Sequence, residues 1–233
     1  DHGYTNETGF STTIGNANSM PTGPDNYGYL AYDQYDYPFF TSYEWIELVP
    51  DSGGVGSRVP FTQLDEVYHL ALPFDFQYYG LVYDSMTVTT KGHICMGITD
   101  ELDYTSSSIP DPDGPPAMIC PVWGDLDPVG VTVSGRAGGV WYYFDEEQHY
   151  VVIQYNYVPW YALAYDGHPT FEIILYDPDY YPTSTGDGQI KFQFKEFESW
   201  GPTGIENHDE DDGILYRDGN IYPATAATLE DQS

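Results

Sequence analysis

Basic residues are almost missing from this chain. Six Lys and Arg stand against 37 Asp and Glu, for a formal net charge of -31 over 233 residues. Nucleic acid and anionic membrane surfaces are bound chiefly through Lys and Arg, so neither is expected as a partner. No apolar run is long enough to span a bilayer. No segment keeps apolar residues at i, i+3, i+4 and i+7 over three turns, which excludes an amphipathic helix of consequence. Zinc spacings are absent too: His2, His69, His93, His149, His168 and His208 are scattered, and no C-x-x-C occurs. Cysteine is limited to Cys95 and Cys120. Each falls in a short strand-like run, so a Cys95–Cys120 disulfide is expected if the two strands are neighbours, worth roughly 2–4 kcal/mol. Two buried free thiols are the alternative.

What is present is aromatic. With 17% Phe, Trp and Tyr, including 24 Tyr, the chain is unlike a disordered acidic polymer, which lacks such residues. Tyr favours strands and combines an apolar body with a polar tip. Alternation is cleanest at 188–197, where Ile190, Phe192 and Phe194 share one face and Lys191, Gln193 and Lys195 the other. The second face is expected to meet solvent. Phe171, Ile173 and Leu175 alternate likewise. Residues 138–158 read as a hairpin around Asp145-Glu146-Glu147-Gln148, and residues 203–216 as a last hairpin closed by an acidic turn. Residues 50–60 and 100–116 are rich in Pro, Gly and Ser and read as loops. Many short strands with turn signals between them predict an all-β fold, an antiparallel, jelly-roll-like β-sandwich without significant helix. The expected division is an N-terminal arm or exchanged strand at 1–22, one sandwich domain at 23–217 and a small polar tail at 218–233.

The motifs that mimic catalysis fail on context. Asp51-Ser52-Gly53-Gly54 looks like a serine-protease nucleophile loop, but only His2 precedes it, within the polar arm. As an aspartic-protease triplet it lacks a second copy to share a proton with. A surface turn is the expectation, and no catalytic residue is assigned. Among the many acids nothing singles out a glycosidase pair. Ca²⁺, which prefers hard oxygen ligands, is the inorganic candidate. Asp125 and Asp127 lie on one side of an extended segment, and Asp209, Asp211 and Asp212 crowd a turn. Neither has EF-hand spacing, and the plain alternative is a solvated acidic loop. Asn6-Glu7-Thr8 is an N-glycosylation sequon at Asn6.

The run LPFDFQYYG at 72–80, with Tyr83, Val88, Lys91-Gly92 and Met96-Gly97, resembles the signature of nidogen-like (NIDO-like) β-sandwich modules of secreted proteins. The likeness continues through ICPVWGDLD at 119–127, GVWYY at 139–143, VVIQY at 151–155, FEIILY at 171–176 and GIEN at 204–207 with Gly213 and Tyr216. It covers about 23–217 and is similar to modules attached to bacterial secreted peptidases and surface proteins. Cys95 replaces the usual aromatic. The resemblance implies a β-sandwich and a binding or building role more than catalysis. The chain begins at Asp1 with no basic n-region or apolar h-region, so a mature extracellular protein is expected. The leading expectation is a non-catalytic subunit that self-assembles into a homo-oligomer or filament by docking its arm on a neighbour. The other is a Ca²⁺-dependent adhesion or carbohydrate-binding module that presents Tyr-rich patches at 27–37 and 155–165.

Overall fold

A computed structural model describes residues 20–105, 108–129, 132–133, 136–161, 167–196, 201–218 and 221–233. Asn6 and most of the expected arm lie outside the described residues. In chain order the strands are β1 (Tyr29–Asp33), β2 (Ser57–Arg58), β3 (Val67–Tyr78), β4 (Leu81–Thr89), β5 (Ile94–Met96), β6 (Met118–Cys120), β7 (Thr132–Val133), β8 (Arg136–Ala137), β9 (Gly139–Asp145), β10 (Tyr150–Asn156), β11 (Thr170–Tyr176), β12 (Ile190–Glu196), β13 (Pro202–Glu206), β14 (Gly213–Asp218) and β15 (Thr225–Asp231). Seven form sheet A in the order β1-β15-β12-β11-β10-β9-β2, and six form sheet B in the order β14-β13-β6-β5-β4-β3. β7 and β8 make a small separate ribbon. Both sheets are antiparallel and pack face to face, giving the expected β-sandwich. Among the described residues the only helical turn is the 3₁₀ turn Pro50–Ser52, an exposed surface turn that contains the protease-like Asp51-Ser52.

Alternation places the core. Val151, Ile153 and Tyr155 of β10, Phe171, Ile173 and Leu175 of β11, and Ile190, Phe192 and Phe194 of β12 all point between the sheets. Sheet B answers with Phe76, Tyr78, Met86, Val88, Ile94 and Ile119. Buried tyrosines satisfy their hydroxyls on backbone carbonyls, Tyr155 across the two sheets and Tyr78 within sheet B, as burial of a polar tip requires. Tyr155 Oη donates to the Thr89 carbonyl at 2.7 Å, and Tyr78 Oη lies 2.9 Å from the carbonyls of Met118 and Glu206. The β3–β4 turn has positive φ at both Tyr79 and Gly80 (47° and 73°), the mirror-image turn whose twist suits a two-residue hairpin. β3 is the outer strand of sheet B; Pro73 and an irregular register between Ala71 and Phe76 interrupt its edge, features that discourage edge-to-edge pairing.

Two expectations about the ends change. Residues 225–231, expected in a polar tail, are β15, which lies inside sheet A between β1 and β12. Its Ala227 and Leu229 are buried in the core. Small side chains there suit a strand closely flanked on both sides, which composition alone does not reveal. The start of the domain also shifts slightly, because Thr22 exchanges two backbone bonds with Ala31 (2.7 and 2.9 Å) along the outer edge of β1.

Candidate functional site

The outer face of sheet A carries the most unusual arrangement in the molecule. Gln154, Glu172 and Gln193 are cross-strand neighbours on β10, β11 and β12 and all three are buried. An extended strap, residues 43–49, covers them. Glu44 N donates to Gln193 Oε1 at 2.6 Å, Ile46 N to Glu172 Oε2 at 3.4 Å and Leu48 N to Gln154 Oε1 at 2.7 Å. Gln193 Nε2 returns a bond to the Glu44 carbonyl at 2.6 Å. Alternate backbone donors of an extended segment are thus read by a row of side chains rather than by a strand, which satisfies groups that burial would otherwise leave unpaired. Leu48 and Val49 then pack on Trp141, Val152 and Ile174. Lys195 fastens the strap through Glu47 at 3.0 Å and lies 4.9 Å from the Trp45 ring centroid.

Burial sets the charges here. It drives the Glu172 carboxyl well above the usual carboxylate range, against the bonds from Ile46 and Gln193. Burial thus disfavours the ionised form of Glu172. Burial also lowers the Lys191 ammonium from its ordinary value, opposed by Glu44 and Glu172. The expectation that Lys191, Gln193 and Lys195 form one solvent face is corrected: Lys191 and Gln193 are buried, and only Lys195 is partly exposed. Period-2 alternation reports which face a residue takes; it does not report whether a distant segment covers that face.

A second polar cluster lies on sheet B. Lys91, with a side chain 1% exposed, reaches Asp125 Oδ1 at 2.6 Å and Asp65 Oδ1 at 2.7 Å, below the Tyr104 ring at 4.9 Å. Burial alone would lower its pKa; the two aspartates outweigh that and raise it. Nearby His93 is fully buried, and among the described residues neither ring nitrogen has a hydrogen-bond partner. Burial pushes it down to about 4, so it is neutral at pH 7. Glu206 accepts from Asp111 N at 2.9 Å, while its other oxygen has no hydrogen-bond partner among the described residues. Burial pushes this carboxyl up to about 8.

The sequence-predicted metal ligands do not converge. Among the described residues no group of three or more His, Cys, Asp or Glu is arranged to hold a metal ion. Asp125 is engaged by Lys91, and Asp127 Oδ1 accepts from Val129 N at 3.0 Å. Asp211 Oδ1 accepts from Asn207 Nδ2 at 2.9 Å, Asp212 Oδ1 takes both nitrogens of Asn26 at 3.1 Å, and Asp209 is exposed in the same turn. The disulfide expectation is also corrected. β5 and β6 are neighbours, but Cys95 faces Met118 across the ladder. Cys120 is thereby offset to the diagonal position, where backbone separations of roughly 7–8 Å exceed disulfide reach. Both are free, buried thiols, pushed up in pKa by burial. Of the Tyr-rich patches, Tyr29 and Tyr155 belong to the core between the sheets, Tyr32 is buried on the outer face of sheet A, and Tyr35, Tyr37 and Tyr161 are exposed.

The family model for NIDO-related domains matches residues 37–208. The chain belongs to the NIDO-related family. Comparison with curated proteins and with solved structures returns no significant match. The match takes in the strap of this NIDO-related module and runs from there through β13, stopping at His208 before the acids of the turn, and leaves out β1, β14 and β15. No helix among the described residues is long and apolar enough to cross a membrane.

Proposed function

We propose that this NIDO-related module is a non-catalytic, extracellular structural subunit that assembles with copies of itself through its N-terminal arm. The observation that carries the reading is the two-way bond between Thr22 and Ala31 on the outer edge of β1. Thr22, the last residue of the arm, lies at a sheet edge, where extended chain is readily added. The strap at 43–49 supports it further, since this sandwich already holds an extended segment on its surface. Repeated docking of one copy's arm on the next gives an open, head-to-tail assembly.

Removing residues 1–19 tests this and spares the Thr22–Ala31 bridge. Sedimentation and negative-stain microscopy should find assemblies of the full chain and folded monomers of the truncated one. A truncated chain that still polymerises would make the arm dispensable and the reading wrong.

A second reading, Ca²⁺-dependent adhesion or carbohydrate binding, is favoured by one observation: Tyr37 and Phe40 are 79% and 74% exposed. Such rings suit stacking on sugars. Specific hits on a glycan array that vanish with EDTA would favour it; silence favours the structural role.

A further inference from the structure

We infer that Lys191 is the floor of an acceptor site on the outer face of sheet A for a carboxylate of another copy's arm, Asp1 or Glu7. The inference rests on the self-assembly reading and names the surface it uses.

Lys191 is exceptional among the cations whose side chains are described. The side chains of Lys91, Lys195 and Arg217 each pair with a carboxylate, and Arg58 bonds the Gly138 carbonyl and faces Trp141. Lys191 is only 7% exposed, yet among the described residues it makes neither a hydrogen bond nor an ion pair. Buried charge is normally compensated, and in a chain of net charge -31 carboxylates are abundant. The two nearest carboxylates, Glu44 and Glu172, act on it electrostatically but neither forms an ion pair with it: Glu172 accepts from Gln193 and Ile46, and Glu44 accepts from Ser42 Oγ at 2.9 Å.

The surroundings shape a site around the amine. Cross-strand register sets Lys191 between Ile174 of β11 and Thr228 of β15, and Thr228 next to Tyr32 of β1. Tyr176 follows Ile174 on the same face, and Phe39 lies against Tyr32 with centroids 5.6 Å apart. The strap bounds one side. Tyr32, Phe39 and Tyr176 on the same face as a single buried ammonium suit a carboxylate carried on an extended segment with apolar neighbours. The arm matches in charge and composition: residues 1–19 hold Asp1 and Glu7, no Lys or Arg, and Tyr4 and Phe10. Fully extended, a segment of that length spans roughly 60 Å, enough to reach from β1 of one copy to sheet A of the next.

The test uses the full chain in a 1:1 mixture of ¹⁴N- and ¹⁵N-labelled protein. It is treated with a carbodiimide, which joins carboxylates to amines without a spacer. Mass spectrometry should find Lys191 linked to Asp1 or Glu7, with mixed-isotope pairs among the products. Lys191→Gln should raise the concentration needed for assembly by roughly tenfold or more, the scale expected for losing one partner of a desolvated charge pair, whereas Lys191→Arg should keep assembly near wild type. Thermal melts establish that each variant is folded. Absence of Lys191–arm products, or pairs of like isotope only, would overturn the inference. If removal of residues 1–19 abolishes assembly but Lys191→Gln does not, the arm docks elsewhere and only this inference falls. If the truncated chain assembles as well as the full one, or the full chain stays monomeric up to its solubility limit, both fall.

Discussion

Lys91 Nζ lies 2.6 Å from Asp125 Oδ1, so the carboxylate that sequence spacing suggested for Ca²⁺ is neutralised by the chain itself. Lys91→Met should leave Asp125 and Asp65 without their cation next to a buried turn. Asp65 is 68% exposed, so solvent screens part of the loss. The expected destabilisation is about 2 kcal/mol, below the range for a fully buried pair. Urea denaturation should show a lower midpoint at unchanged slope.

Gln154→Leu removes the acceptor of Leu48 N–H. A buried donor left unpaired costs about 1–3 kcal/mol. The amides of Glu44, Ile46 and Leu48 should then exchange with solvent deuterium faster than in the wild type, while those of the β10–β11 ladder hold. Uniform acceleration throughout sheet A would mean that the strap and the sheet open together.

Glu206 links stability to pH. Burial raises its folded-state pKa from 4.5 to about 8. Between those values the folded protein holds a proton that the unfolded chain has lost, so stability falls as pH rises through the window. The contribution is fully present below the unfolded value and gone above the folded one. Glu206→Gln should match the wild type near pH 4 and exceed it near pH 8. Parallel curves of melting temperature against pH for the two proteins would remove Glu206 as the source of the slope.

Both thiols should resist modification in the native state, because each is buried and its ionisation is opposed by burial. A thiol reagent should titrate neither before unfolding and two afterwards, without prior reduction. A product two hydrogens lighter, with no thiol released by denaturant, would show a disulfide instead.

Much of the sandwich was legible because its signals are local. Ile190, Phe192 and Phe194 alternate within seven residues, and turns such as Tyr79-Gly80 sit between strands that pair with each other. What escaped was non-local. Nothing around Gln154, Glu172 or Gln193 announces that Glu44 to Leu48 will cover them; the signal would have been three outward polar positions on consecutive strands flanked by apolar Val152 and Ile174. Lys91 and Asp125 meet only after β4, β5 and β6 are arranged. Cys95 and Cys120 illustrate the limit of strand adjacency: the right strands are neighbours, yet the register is offset by two residues, and register is set by packing across the whole sheet. β15 escaped for a different reason. Its Ala226 and Ala227 carry little hydrophobic signal, and its place comes from fitting between β1 and β12.

The position of β15 also governs when the molecule can close. In sheet A, β1 is joined to the body only through β15, so residues 29–33 must wait until residue 231 has been made before they find their place. A nascent chain can assemble β9 to β12 from sequential hairpins while β1 has no ladder to join. Contacts of such sequence separation are slow to form. During that interval another chain's final strand could take the place between β1 and β12, so dilution during refolding should favour the correctly closed monomer over an intertwined pair.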